Sequence, residues 1–371
     1  MSVEFTRIDE STSAFDRLLR RSGSSATSLE STALFVGAAF FVLGGLVALG
    51  TFWGRDLPIS GSRSLGEFAA IGGAAAAFLA FLFGRFVVAR SETSASTGLG
   101  RNVTHDGLAM PGVRLHWFDI GALAIAHAVI ALLAWTAFST VLELSFYGAP
   151  VFPLPASALA GVALALSGYV SFLSSVRMTP ALLSLVLAVF LVVGALASML
   201  SASDRHWWEH NLSALGMTDD LSGMTFNVTL MVAGVIVTLV ARYATAALPA
   251  SSPPDRRGRA IVRAGLIALG VFLAGVGLVP VNEWAVVHTT VATGMAVCFA
   301  LLAITLPWLI RSVPRAFLLL GYAYVVVIAI VAGFYVTGYY NLTAVELVAA
   351  CLIFSWIIVF LRTAGASEDR R

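Results

Sequence analysis

The chain has 371 residues, of which 59% are hydrophobic and only 11% are charged. This composition excludes a soluble globular domain and indicates a helical membrane protein. The net charge is only +2, and the basic residues are scattered along the chain, which excludes a nucleic-acid-binding protein. Cys298 and Cys351 both lie in apolar runs, so neither a disulfide framework nor a thiolate metal site is predicted.

The chain begins with a polar stretch, residues 1–30, which predicts a cytoplasmic tail without a cleavable signal. A membrane span needs about 20 apolar residues. Ten runs meet this requirement, so we predict an all-α, polytopic integral membrane protein with about ten transmembrane helices. The predicted spans are residues 31–53, 66–89, 118–142, 156–176, 180–202, 223–247, 260–281, 285–309, 315–338 and 343–362.

The arginines predict the orientation of these spans. All 22 basic residues are arginines, a bias typical of a GC-rich bacterial genome. With the N-terminus inside, all but Arg55, Arg63 and Arg205 fall on the cytoplasmic side. Because cytoplasmic loops of membrane proteins are enriched in basic residues, both termini are predicted to be cytoplasmic, in a chain that crosses the cytoplasmic (inner or plasma) membrane.

Two short polar segments divide the predicted spans. Arg177-Met178-Thr179-Pro180 predicts a tight turn, because proline is favoured at the first position of a helix. Residues 249–263 are rich in proline and arginine and are interpreted as a hinge. The regions predicted on either side of the tight turn are a four-helix membrane region at 31–176 and a six-helix domain at 177–362, followed by a cytoplasmic tail at 363–371.

Ionisable or polar side chains inside spans are costly and commonly mark functional sites. Asp119 and His127 are eight residues apart, so they share one face of the third span. A path for protons along this face would indicate a proton-coupled transporter. The alternatives are a helix-terminal anion for Asp119 and an interhelical hydrogen bond for His127. The other such residues are Arg85, Asn227 and His288.

The segment between the fifth and sixth spans, residues 204–216, contains two of the six histidines. Its residues His206-Trp207-Trp208-Glu209-His210 have H-x-x-E-H spacing, which on an α-helix places two imidazoles one turn apart for zinc and leaves Glu209 as a general base. The third ligand would be His288, Asp204 or Glu283. Adjacent tryptophans with flanking charges also indicate an interfacial anchor.

Asn211-Leu212-Ser213-Ala214-Leu215-Gly216, then Phe226-Asn227-Val228-Thr229-Leu230 and a later His288, resemble the bacterial membrane family catalogued as domain of unknown function 998. That family is similar to the eukaryotic Frag/DRAM/Sfk-type proteins. The resemblance covers about residues 180–362. It implies a fold and a topology but no settled activity, and the positions that match it are Asn211, Ser213, Gly216, Asn227 and His288.

These residues give the candidate site. We predict one polar ligand-binding pocket, with the alternative that its side chains only satisfy loop backbone. Ser213 with His288 as base is a candidate nucleophile pair, and His206, Glu209 and His210 are the other catalytic candidates. The predicted ligand-binding residues are Asn211, Ser213, Asn227, Glu283 and His288.

The predicted function is the handling of a lipid or small amphiphile through an outward-facing polar site. The alternatives are a non-catalytic scaffold that binds a partner, an outer-leaflet metal-dependent hydrolase and a proton-coupled transporter. Whether the protein is an enzyme stays open. No cofactor is expected, and zinc enters only through the metal hypothesis, with His206, His210 and His288 as its ligands. Membrane lipids are the expected partners, and no protein partner is identified.

Overall fold

The computed structural model describes residues 26–96, 116–246, 248 and 252–365. Of the predicted tails, residues 1–25 and 366–371 lie outside these described ranges. Within the described ranges the secondary structure is helical, apart from one isolated antiparallel bridge between Leu57 and Val151.

Ten of the described helices are long and apolar enough to cross a membrane, which confirms the predicted number and order of spans and defines a multi-pass membrane protein. These helices begin and end close to the apolar runs, since each run supplies a full span length. They are α1 (Ala26–Phe52), α2 (Leu65–Ser96), α3 (Trp117–Ser145), α4 (Pro153–Val176), α5 (Pro180–Leu200), α6 (Leu221–Ala246), α7 (Pro253–Leu278), α8 (Ala285–Leu309), α9 (Arg315–Val336) and α10 (Leu342–Gly365).

Side-chain caps fix several of the helix starts, among them those of α5 and α7. At α5 the Thr179 hydroxyl accepts the N–H of Leu182 at 3.1 Å, which confirms the tight turn predicted there. At α7 the Ser252 hydroxyl accepts the N–H of Asp255, and the Asp255 carboxylate accepts the N–H of Ser252. This capping box starts α7 at Pro253, so the prediction of a hinge is wrong for residues 253–263.

The chain divides into two compact units, residues 1–178 and 179–371. In the first unit, α4 packs along both α1 and α2, and α3 packs against α2. At one end of this unit Glu30 pairs with Arg177 at 3.1 Å and accepts the hydroxyl of Tyr169. Arg85 of α2 donates to the carbonyl of Ser175 on α4 at 3.1 Å.

Asp119 and His127 have separate structural partners in the first unit. The Asp119 carboxylate accepts the N–H of His116 at the start of α3, as predicted for a helix-terminal anion. The ring of His127 bonds the carbonyl of Leu123 at 2.8 Å and, across to α4, the hydroxyl of Ser174 at 2.8 Å. The interhelical hydrogen bond predicted for His127 is therefore confirmed.

In the second unit, helices α5 to α9 each pack on the next helix in the chain, and α10 packs on both α9 and α5. Helices α6 and α7 cross closely, since a Cβ added at Gly270 would lie 2.6 Å from the carbonyl oxygen of Gly234. The largest fully buried side chain is Trp356 of α10, whose ring stacks on Phe317 and Phe360. These contacts position the helix ends that form the candidate site.

Candidate functional site

Residues 201–220 connect α5 to α6 and are called the connector below. The connector contains two short 3₁₀ helices, Trp207–Glu209 and Leu212–Gly216, and no α-helix. His206 and His210 flank the first of these, and His210 has a non-helical backbone with φ −96° and ψ −84°. The α-helix that the H-x-x-E-H hypothesis requires is therefore not formed.

The metal hypothesis also lacks a third ligand. His206 and His210 are exposed, and the closest approach of the His206 ring to a carboxylate is 4.0 Å, to Asp204. His288 is buried elsewhere and has other partners. Within the described ranges, no group of three or more His, Cys, Asp or Glu side chains is placed to hold a metal ion. The arrangement that the zinc hypothesis requires is thus not assembled among the described residues.

His288, in the first turn of α8, joins the connector to the helix bundle. Its Nδ1 lies 2.6 Å from the carbonyl oxygen of Val279, and its Nε2 lies 3.0 Å from the hydroxyl of Ser213. Because a carbonyl only accepts, Nδ1 carries the hydrogen, and in the neutral ring Nε2 accepts the hydroxyl proton of Ser213. The predicted contact between His288 and the connector is confirmed.

Ser213, His288 and the Val279 carbonyl have the connectivity of a nucleophile, its base and an orienting acceptor. Both side chains are buried, at 7% and 5% exposed. The first unit contains the same connectivity at His127 and Ser174, where it links two helices. The contact by itself is therefore explained by helix linkage, and we interpret it as a fastening of the connector.

Two side chains at the start of α10 fasten the connector from another direction. The Glu346 carboxylate accepts the N–H of Leu212 at 2.5 Å and also interacts with the backbone N–H of Ser213. Just before α10, the side-chain amide of Asn341 donates to the carbonyl of Trp208 at 2.8 Å. Since backbone N–H and C=O groups outside regular helices need partners in an apolar environment, these bonds stabilise the connector.

The end of the connector is fixed by α6. The side-chain amide of Asn227 donates to the carbonyl of Gly216 at 3.0 Å. A Cβ at Gly216 would lie 2.5 Å from the Asn227 amide oxygen and 2.8 Å from the ring of Phe226, so any larger residue would displace these side chains and disturb the bond from Asn227. Asn227, His288, Glu346 and Asn341 together are called the polar clamp.

A cleft of about 510 Å³ opens beside the polar clamp. One wall of the cleft is formed by the end of the connector and the first turns of α6. The other wall is formed by the turn from α7 to α8. Its lining combines carboxylates and amides with flexible apolar side chains, and the described lining residues include no basic side chain. They are Gly216, Met217, Thr218, Asp219, Asp220, Leu221, Gly223, Met224, Asn227, Pro280, Asn282 and Glu283.

Asp220 makes the cleft negative. Partial burial acts to raise the pKa of its carboxyl group, but hydrogen bonds from Ser203, Thr218 and the backbone of Gly223 and Ser222 outweigh this effect and lower the pKa to about 2. The bond lengths from the two hydroxyls are both 2.6 Å. Because the carboxyl group stays ionised throughout the neutral range, the cleft carries a fixed negative charge beside the exposed Asp219 and Glu283.

The structure separates the predicted site residues into three groups. Ser213 and His288 are in the polar clamp region, Asn227 contributes to both the clamp and the cleft, and Glu283 lines the cleft. His206, Glu209 and His210 lie on the exposed first turn of the connector. Some residues of the clamp and the cleft were not predicted. Glu346 could have been identified, because it is a carboxylate inside an apolar run. The others are Asn341, Asp219, Asp220 and Asn282.

Comparison with known families identifies the family of the second unit's helices. Residues 184–363 match the family model described as protein of unknown function (DUF998), and this part of the chain belongs to that family. The match includes the connector, the polar clamp and the cleft. The resemblance predicted from the sequence is confirmed for this family. No curated protein and no solved structure matches the chain.

Proposed function

We propose that the protein binds a lipid or small amphiphile with a cationic headgroup in the cleft beside the connector. The observation that carries this proposal is the lining of the cleft. Asp219, Asp220 and Glu283 offer carboxylates, and no basic side chain among the described lining residues neutralises them. An ammonium group is attracted to such a cleft, whereas a phosphate without an accompanying cation is repelled.

The apolar side of the cleft favours an amphiphile over a soluble cation. Met217, Leu221 and Met224 line the cleft together with the carboxylates, and they are 39%, 49% and 60% exposed. Ligand sites typically combine apolar walls with a few polar groups that orient the ligand, and methionine adapts to different acyl chains. The headgroup would contact the carboxylates and the chain would lie along the apolar side chains.

The outward orientation of the cleft rests on the arginine distribution. The cleft lies at the N-terminal end of α6 and at the C-terminal end of α7. The opposite ends of these two helices carry the arginines at 242, 256, 257, 259 and 263. Since arginines mark the cytoplasmic side, the cleft faces the outer side of the cytoplasmic membrane in this proposal. The ligand would enter from the outer leaflet.

The test compares affinities for amphiphiles of different charge. Purified full-length protein in nanodiscs is titrated with a fluorescent alkyltrimethylammonium amphiphile and with an alkyl phosphate of equal chain length. The trimethylammonium compound should bind to the wild type. The double substitution Asp219→Asn and Glu283→Gln should lower the affinity for this compound about tenfold, since each exposed carboxylate contributes on the order of 0.5–1 kcal/mol to binding.

The matched control is Glu209→Gln. Glu209 is exposed on the connector but does not line the cleft, so its substitution should leave the affinity unchanged. Equal binding of the two headgroups by the wild type, or equal weakening by Glu209→Gln, would exclude the cleft as a site selective for cationic headgroups.

A further inference from the structure

We infer that a monovalent metal cation such as Na⁺ binds between the connector and the start of α10, with Glu346, Thr343 and Asn211 as its ligands. This site is distinct from the cleft and does not depend on the identity of the amphiphile. The inference rests on oxygen atoms that are buried and have no protein partner, next to a carboxylate that has no cationic partner.

The unpartnered oxygens are the Thr343 hydroxyl and the side-chain oxygen of Asn211. Both atoms are buried and form no hydrogen bond within the described residues. Thr343 is only 6% exposed. Buried polar atoms without partners are rare in folded proteins, because each one loses its bonds to water, so such atoms indicate an ion or a water molecule.

Both residues adjoin groups that contact or carry the same carboxylate. Thr343 precedes Glu346 by three residues on α10, so the two side chains share one face of that helix. Asn211 directly precedes Leu212, whose N–H is bonded to the Glu346 carboxylate at 2.5 Å. One carboxylate, one hydroxyl and one amide oxygen are therefore supplied by two segments that are in direct contact.

The charge of this group favours a cation over a water molecule. Among the described residues, no arginine or histidine lies within ion-pair distance of Glu346. The start of α10 carries the positive end of the helix dipole, equivalent to roughly half an elementary charge, which only partly offsets the full charge of the carboxylate. A cation supplies the remaining positive charge at the place where the oxygens lack donors.

The ligand set determines the class of cation. All three ligands are oxygens, which hard cations prefer over softer metals. A single carboxylate matches one positive charge, whereas divalent sites typically use several carboxylates.

The test measures the melting temperature, Tm, of the purified full-length protein as choline chloride is replaced by NaCl or KCl at constant ionic strength. A cation that binds only the folded state should raise Tm, saturably, by about 2–4 °C. Glu346→Gln and Thr343→Val should abolish the rise. Thr343→Val retains the carboxylate and its bond to the connector, so it tests the site even if Glu346→Gln does not fold.

The control is Glu143→Gln in the first unit. Glu143 also accepts a backbone N–H, from Ser60 at 3.3 Å, and its substitution should leave the salt response unchanged. Equal Tm values in choline, sodium and potassium would overturn the inference. A normal response of Thr343→Val would overturn it as well, and so would a stabilisation by low pH alone that is independent of both metal ions.

Discussion

Replacing His288 by alanine should lower the Tm of the protein by about 5–10 °C. The substitution leaves the Ser213 hydroxyl and the Val279 carbonyl without their partner at a buried position. The unpaired buried polar groups and the lost side-chain volume together lower the free energy of unfolding by about 2–3 kcal/mol. A loss of 1 kcal/mol lowers Tm by about 2–4 °C in a folding unit of this size. The connector should detach from α8, and amphiphile binding in the cleft should weaken with it.

The measurement is thermal unfolding followed by intrinsic fluorescence. Thr290→Ala is the matched control, because Thr290 is exposed on the same helix and its hydroxyl bonds only the Val286 carbonyl one turn earlier. This control should change Tm by less than about 2 °C, the range of an ordinary surface substitution. A Tm for His288→Ala equal to that of the control would contradict the fastening role of His288.

Replacing Gly270 by valine should prevent the second unit from folding normally. A Cβ at this position would lie 2.6 Å from the carbonyl oxygen of Gly234, which is backbone of α6. A backbone atom cannot move aside as a side chain does, so α6 and α7 would have to separate along their crossing. Overpacking of a core costs about 1–3 kcal/mol even when side chains adapt, and we expect a greater loss here.

Size-exclusion chromatography of the purified variant should show mostly aggregate, with little monodisperse protein. The control is Gly333→Val on α9, where an added Cβ has no atom within 4 Å. It introduces the same side chain into an apolar helix, so it should purify as the wild type does. Normal folding of Gly270→Val would show that α6 and α7 do not cross at this contact.

The helices could be predicted from the sequence, because a span requires a continuous apolar run and leaves a strong signal. The turn at Thr179 and Pro180 was predictable for a similar reason, since capping and proline position are local. The start of α7 was not predicted, because proline and arginine near Ser252 suggested a hinge. The capping box of Ser252 and Asp255 was present in the sequence, and it decides the helix start.

The candidate site was predictable only in part. The contact of His288 with the connector was predictable, because the sequence indicated that Ser213 and His288 belong to one polar pocket. The bond between Glu346 and the N–H of Leu212 could not be predicted, because it depends on the packing of α10 next to α5. No local sequence pattern indicates this packing. The H-x-x-E-H pattern failed because its chemistry requires an α-helix, and the backbone around His206 and His210 forms a 3₁₀ turn instead.

The polar clamp explains why residues far apart in the chain belong to one site. His288 and Glu346 fasten the middle of the connector, and Asn227 fixes Gly216 at the edge of the cleft. A cation at Glu346 would strengthen the same attachment. Binding of the cation and of an amphiphile would therefore be linked through the position of the connector, since any ligand of the folded connector stabilises it.

The most direct test of the central claim locates the bound amphiphile. An alkyltrimethylammonium compound with a photoactivatable group next to its headgroup is crosslinked to the full-length protein in nanodiscs, and the labelled peptides are identified by mass spectrometry. Crosslinks should map to residues 216–224 and 280–283, and an excess of unlabelled compound should remove them. Crosslinks confined to other helices, or unaffected by the competitor, would contradict amphiphile binding in the cleft.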